Sequence, residues 1–262
     1  MEIKIIHDRE IVYNFLKEKT RFNYIYQFNN IDKNNWGNVI CYGLFENKEL
    51  KDIAMLNINY GIPVLLAASF DDSNYSVELI KNIKNFLPKE FYTHIDKVTI
   101  DKVFNDCDIL EYEEYINMGI DNNVSMKEIT STDIARLGSN NLDDIKELIL
   151  NSYPEAWLDD DLIKLNENFG IYNREKLISF AGIHAYSEEM QVAAVAHVTT
   201  HPDYRNRGYA ENVVNELARS LKNKINFIGL NVKNNNVSAI NCYKKLGFKE
   251  YGKFSACTIR RT

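Results

Sequence analysis

The 262-residue sequence predicts an α+β chain in two tandem domains, each a sheet flanked by helices. Three observations lead there. The length suits two domains of about 130 residues. Strand-like alternation and helix-like periodicity occur in both halves. The halves also repeat one order of elements: hairpin, strand, helix, strand.

The chain is 45% hydrophobic and 26% charged, an ordinary globular balance that argues against a disordered tail, a collagen or a disulfide-stapled miniprotein. Its 31 Lys and Arg against 37 Asp and Glu leave a formal charge of -6. That balance argues against nucleic acid held by phosphate neutralisation and against an anionic membrane surface. Cationic or neutral small substrates fit it better. Cys41, Cys107, Cys242 and Cys257 form no C-x-x-C pair and have no His at metal-ligand spacing, so we expect free thiols and no metal. Met1–Asp8 lacks a basic and then apolar leader, and Gly61–Phe70 is half of a membrane span. The expectation is a cytoplasmic protein, monomer or homodimer.

In the first half, Val39–Phe45 and Leu50–Ile58 form a hairpin around Glu46-Asn47-Lys48. Pro63–Phe70 reads as a short apolar strand. Tyr75–Phe86 is a helix with Val77, Ile80, Ile83 and Phe86 on one stripe. Tyr92–Ile100 and Ile109–Ile116 read as strands. Met118–Val124 is the boundary, which gives domains 1–122 and 126–262.

Beyond it, Thr132–Leu137 and Leu142–Ser152 read as helices, the second with Leu142, Ile145, Leu148 and Ile149 at helical spacing. Phe169–Asn173, Lys176–Tyr186 and Gln191–Thr200 read as an antiparallel meander. A helix from Tyr209 to Lys222 carries Val213, Val214, Leu217, Ala218 and Leu221 on one face. Then come a strand, Phe227–Lys233, and a helix, Val237–Leu246, ended by Gly247. A strand pair over Lys249–Arg260 closes the chain.

The chemistry concentrates in His197-Val-Thr-Thr-His-Pro-Asp-Tyr-Arg-Asn-Arg-Gly-Tyr-Ala210. A strand ends, a Pro turn follows, and Arg205-x-x-Gly208-x-Ala210 enters an amphipathic helix. A helix start leaves about four backbone N–H groups unpaired, with about half a positive charge on them. Gly208 and Ala210 admit a diphosphate to that backbone, and Arg205 and Arg207 add charge. Downstream stand Leu230-Asn-Val-Lys233 and Asn236-x-x-Ala239-x-x-x-Tyr243-x-x-x-Gly247-Phe248.

Together these motifs resemble the GNAT superfamily of acyl-CoA-dependent N-acyltransferases, over about residues 126–262. The first half resembles it only in element order. The Thr200-His-Pro and Arg207-Gly-Tyr-Ala pairing looks most like tandem-domain members, including the glycine N-acyltransferase-like branch. The resemblance implies two tandem GNAT-like domains. Each has a mixed, mostly antiparallel twisted sheet that splays between two central strands to admit acetyl-CoA.

The resemblance also implies roles. The backbone along Val198, Thr199 and Thr200 would take the pantetheine arm. The amides across Arg205, Asn206, Arg207, Gly208, Tyr209, Ala210 and Glu211 would take the pyrophosphate. Asn236 would sit by the pantetheine, and as a preferred N-cap residue it also starts its helix. Tyr243 would direct its hydroxyl at the CoA sulfur, where a phenol can protonate or hydrogen-bond the leaving thiolate. Cys242 reads as a bystander thiol.

The acceptor amine needs a base, since at neutral pH only about one part in a thousand of an alkyl ammonium is neutral, a deficit of roughly 4 kcal/mol. Many relatives place a Glu on the strand before the loop. Here that stretch is Val192-Ala-Ala-Val-Ala196. The candidates are then His197, ranked first, His184, and Glu188 or Glu189 in the loop between them. Alternation puts His197 and Val198 on opposite faces. His201, before Pro202, reads as structural.

At the matching place in the first half stands Ser69-Phe-Asp-Asp-Ser-Asn-Tyr75, with two carboxylates and no Gly or Arg. That half is expected not to bind CoA but to support the second and wall its acceptor pocket, with Tyr24, Tyr26, Phe28 and Trp36 as lining candidates. Trp157, after Tyr153-Pro-Glu155, is a further acceptor contact candidate. The leading reading is direct acetyl transfer from acetyl-CoA to a primary amine of a small molecule or peptide. The alternatives are a glycine-like N-acyltransferase using another acyl-CoA, and a non-catalytic acyl-CoA sensor.

Overall fold

The computed structural model describes residues 1–71, 73–127, 134–152, 160–164 and 167–261. The chain forms two compact units. The first holds Met1–Asn117, Val232–Asn235 and Tyr251–Thr262; the second holds Met118–Asn231 and Asn236–Glu250. The chain thus passes from one unit to the other inside three strands, and its final strand finishes in the first unit.

The first unit begins with three elements absent from the sequence expectation: β1 (Glu2–Ile6), α1 (Arg9–Leu16) and α2 (Ile25–Asn30). Asp8 caps α1 by accepting from the Glu10 N–H at 2.9 Å. The hairpin is β2 (Val39–Glu46) and β3 (Glu49–Asn57), followed by β4 (Val64–Leu66), shorter than the apolar run suggested. The helix α3 (Ser73–Ile83) continues as a 3-10 turn over Lys84–Phe86.

Tyr92–Ile100 is not one strand. It divides into β5 (Glu90–Ile95) and the helix α4 (Lys97–Val103). The β-branched run Val98-Thr99-Ile100 reads as strand locally, but Asp96 breaks it and Ile100 and Val103 bury as a helix face in the core. β6 (Asp108–Ile120) follows. The core of this unit gathers Leu44, Leu56, Leu79, Ile80, Phe91, Phe104 and Ile259.

In the second unit, β7 (Ile134–Leu137) replaces the helix expected over Thr132–Leu137, whose first two residues lie outside the described ones. The i, i+3 spacing of Ile134 and Leu137 mimics a helix, but four residues are too few to define a period. Antiparallel pairing of Ile134 with Ile171 and of Leu137 with Asn168 decides it. Next come α5 (Leu142–Ser152), α6 (Asp160–Ile163), β8 (Asn168–Asn173), β9 (Lys176–Ser187), β10 (Val192–Thr200), α7 (Tyr209–Leu221), β11 (Phe227–Lys233) and α8 (Val237–Lys245). Val213, Val214, Leu217, Ala218 and Leu221 of α7 are fully buried, as their spacing requires. Each large one contributes about 1.5–3 kcal/mol by burial.

The last element, β12 (Lys249–Arg260), is one continuous strand and not a pair. Gly252 is a point of close approach and not a turn: a Cβ there would stand 2.6 Å from both Asn23 Oδ1 and the Phe70 ring. β12 lies between β5 and β6, so the first unit runs β1-β2-β3-β4-β5-β12-β6, parallel at β4–β5. The second runs β11-β10-β9-β8-β7, parallel at β10–β11. Both are mixed, mostly antiparallel arrangements with helices against them, the expected class. Among the described residues no helix is long and apolar enough to cross a membrane.

Candidate active site

The site forms where β10 leaves its parallel neighbour. The β10–β11 ladder runs from Val192/Phe227 to Val195/Leu230. On its other side β10 stays paired to β9 as far as Thr200/Ser179. The Thr200 hydroxyl bonds that of Ser179 at 2.9 Å, and Thr199 Oγ1 donates to the His197 carbonyl at 3.0 Å. Both threonines therefore use their side chains within the meander.

Two irregularities break the β9–β10 pairing. Ala194 pairs with Ala185, but Val195 pairs with Ile183, which leaves His184 as an extra residue on β9. Ala196 then pairs with Gly182 and Thr199 with Phe180, so His197 and Val198 both stand opposite Ala181. Simple alternation between His197 and Val198 is thereby overturned, because a bulge interrupts the two-residue period. His197 takes φ +55, a conformation that costs an ordinary residue roughly 1–2 kcal/mol.

The bulges bring the two histidines together, with ring centroids 5.8 Å apart at 73°. The Nε2 of His197 is buried and has no hydrogen-bond partner among the described residues. Burial lowers the His197 imidazole to about 4, and the neighbouring His184 adds to that shift. His197 is therefore neutral at physiological pH.

After β10, His201 holds the turn. Its N–H donates to the Ile178 carbonyl at 2.9 Å, and its Nδ1 accepts from the Asp203 N–H at 3.3 Å. Its Nε2 lies 3.0 Å from Lys176 Nζ. The two arginines reach back to main-chain oxygens. Arg205 Nε donates to the Thr200 carbonyl at 3.1 Å, and Arg207 donates to the Asp203 carbonyl at 3.1 Å with its guanidinium over the Tyr204 ring. They brace the loop as well as charging it, a role that spacing alone does not reveal.

Asn206 and Gly208 are left-handed, at φ +62 and φ +80. Gly208 is the N-cap of α7, and nothing lies within 4 Å of where its Cβ would be. The first helical bond runs from the Asn212 N–H to the Gly208 carbonyl at 3.0 Å. The amides of Tyr209, Ala210 and Glu211 precede it, half-buried behind an exposed Gly208 that has no Cβ, a donor cluster suited to an anion.

Helix α8 packs against α7 beside this cradle, and Cys242 lies on it. Burial raises that thiol to about 11, which keeps it protonated. Asn236 caps α8, its Oδ1 accepting from the Ala239 N–H at 3.1 Å. Tyr243 is buried, with its ring centroid 6.0 Å from that of Phe248. Burial, with a smaller push from Cys242, raises its phenol and keeps the hydroxyl a proton donor. Glu188 accepts from the Tyr186 hydroxyl at 2.6 Å. Trp157 and Tyr153-Pro154-Glu155 lie outside the described residues. Among the described residues no cluster of His, Cys, Asp and Glu could hold a metal ion.

Residues 142–248 match the model of the acetyltransferase (GNAT) family. No curated protein matches the chain. Several solved structures share the fold. A Drosophila protein superposes with TM-score 0.74 at 11% identity, covering 98% of each chain. A GNAT-family acetyltransferase from Colwellia psychrerythraea gives 0.57 at 13% identity, covering 99% of this chain and all of its own. A tandem GNAT protein from the clavulanic acid biosynthesis pathway gives 0.53 at 8% identity over 98% of each chain.

Proposed function

We propose that the second unit transfers an acyl group, acetyl by preference, from acyl-CoA directly to a primary amine of a small molecule or peptide. One observation carries the reading: β10 parts from β11 after Val195 and runs straight into the open donor cluster at Gly208–Glu211. A diphosphate fits the cluster, and the edge of β10 past Val195, which has no ladder partner on that side among the described residues, suits an amide-bearing arm such as pantetheine. The match over residues 142–248 to a family of acetyltransferases points the same way.

In this reading Val198–Thr200 hold the pantetheine and the Arg205–Glu211 amides hold the pyrophosphate. Tyr243 donates its proton, or a hydrogen bond, to the departing sulfur. His197, neutral and with a buried unpaired nitrogen, receives the proton of the acceptor. Catalysis belongs to the domain that begins near residue 126. The domain before residue 122 is a degenerate copy that binds no CoA, and the tandem arrangement favours the glycine N-acyltransferase-like branch.

Release of free thiol from acetyl-CoA tests the proposal, against polyamines, amino acids including glycine, aminoglycosides and short peptides. Turnover with one amine class is the expected result. Turnover only with a longer acyl-CoA and glycine would replace it with the glycine-type reaction. Tight acetyl-CoA binding without turnover on any acceptor would favour a sensor.

A further inference from the structure

A lone bulge shifts the register of everything beyond it, and a one-residue slip turns every later side chain to the other face. The bulges of β9 and β10 cancel. Val192↔Ser187, Ala193↔Tyr186 and Ala194↔Ala185 share their register with Thr199↔Phe180 and Thr200↔Ser179. Only Val195 and Ala196 are slipped between them. The sheet on both sides is thus undisturbed, and the effect is confined to re-aiming the residues at the two bulges. One bulge holds His184 and the other His197, and their rings meet edge to face. The cost is borne locally: His197 has a left-handed backbone and a buried Nε2 with no partner among the described residues.

We propose that His184 and His197 act as a pair in acyl transfer, with His197 as the proton acceptor and His184 as the residue that positions its ring. The inference rests on the acyl-transfer reading. As the acceptor nitrogen bonds to the acyl carbon, its N–H bond breaks and the proton passes to His197 Nε2. The C–S bond of the thioester breaks, and its electron pair leaves on sulfur, which takes a proton from Tyr243 or water. His197 then returns its proton to water, and where Tyr243 was the donor its phenolate takes one back from water. His184 contributes an edge that fixes the His197 ring plane. Its imidazole, when charged, also opposes protonation of His197.

Histidine-selective NMR on the full chain tests the pair without turnover. His184→Gln should raise the titration midpoint of His197 toward its ordinary value. An unmoved midpoint overturns the pairing. Turnover supplies the second arm. His197→Gly keeps a residue suited to φ +55 and leaves a hole of imidazole size. It should lose about 100-fold in kcat and recover part of it with added imidazole. His184→Gln should lose about 10-fold in kcat with KM for acyl-CoA unchanged.

Retained acyl-CoA affinity by calorimetry shows that each variant is folded. Wild-type turnover that neither substitution alters overturns the pair and spares the acyl-transfer reading. A wild type that binds acyl-CoA and turns over nothing overturns that reading, and the NMR midpoint then decides the pair alone.

Discussion

Each unit has a strand paired in parallel that runs into a loop and then a helix, but the two loops differ in what their backbones do. In the first unit the β4–β5 ladder ends at Leu66/His94 and is prolonged by the Ala67 N–H donating to the His94 carbonyl at 2.8 Å. Two amides further along are capped. Ser69 donates to Asp96 Oδ2 at 3.1 Å and Phe70 to the Tyr24 hydroxyl at 3.4 Å. Asp71 is held by Lys19 at 2.5 Å. In the second unit the loop is braced through its arginine side chains, and the amides of Tyr209–Glu211 have no partner among the described residues. An anion site is built by leaving donors without partners, and in the first unit's loop the Ser69 and Phe70 amides have them.

Gly208→Glu should break that contrast most severely. It puts a carboxylate in the cradle on a left-handed backbone, and calorimetry should detect no acyl-CoA binding by a variant that remains folded. Unchanged affinity would remove the cradle assignment. Tyr243→Phe comes next, with a loss in kcat of about 100-fold and little change in acyl-CoA affinity. Titration of the wild type should give one acyl-CoA per chain, and a second site would mean that the first unit's capped loop opens.

Asp52 sharpens the contrast through pH. It is buried in the first unit, and burial raises its carboxyl from 3.8 to about 7. The native chain keeps a proton that the unfolded chain releases, so stability is full below about pH 4 and falls as pH rises toward 7. Asp52→Asn should remove that component, raising the urea midpoint at pH 8 relative to wild type and leaving it nearly unchanged at pH 4. The smallest effect is expected of Tyr24→Phe. It should cost about 1 kcal/mol through the lost cap on Phe70 and leave acyl-CoA affinity as it was.

The legible parts of the sequence were those with long periods or strong punctuation. Helix α7, with five buried apolar residues in phase and Gly208 before it, stands where its pattern placed it. Strand β11 does too, and Gly247 ends α8 with φ +94. Short elements were misread because tertiary pairing outweighs local preference. β7 is a strand only because β8 pairs with it, and α4 is a helix only because the core takes Ile100 and Val103. The loop's donor cluster was legible because glycine and helix entry are local signals. His197 and His184 were both legible as candidates, but their ring contact was not, because a bulge depends on the register of two strands, and neither strand's own sequence records it.

The course of the final strand bears on how the molecule is made. Tyr251–Thr262 belongs to the first unit, where Ser255–Arg260 pair with β5 and Ser255 bonds the Tyr112 hydroxyl at 3.0 Å. A ribosome must therefore translate the whole of residues 118–250 before it delivers the strand that fills the place between β5 and β6. Throughout that interval the nascent first half carries open strand edges, the kind of surface that recruits wrong partners. A truncation at the apparent boundary near residue 122 would keep the gap permanently. Supplying residues 251–262 as a separate peptide is the natural way to close it.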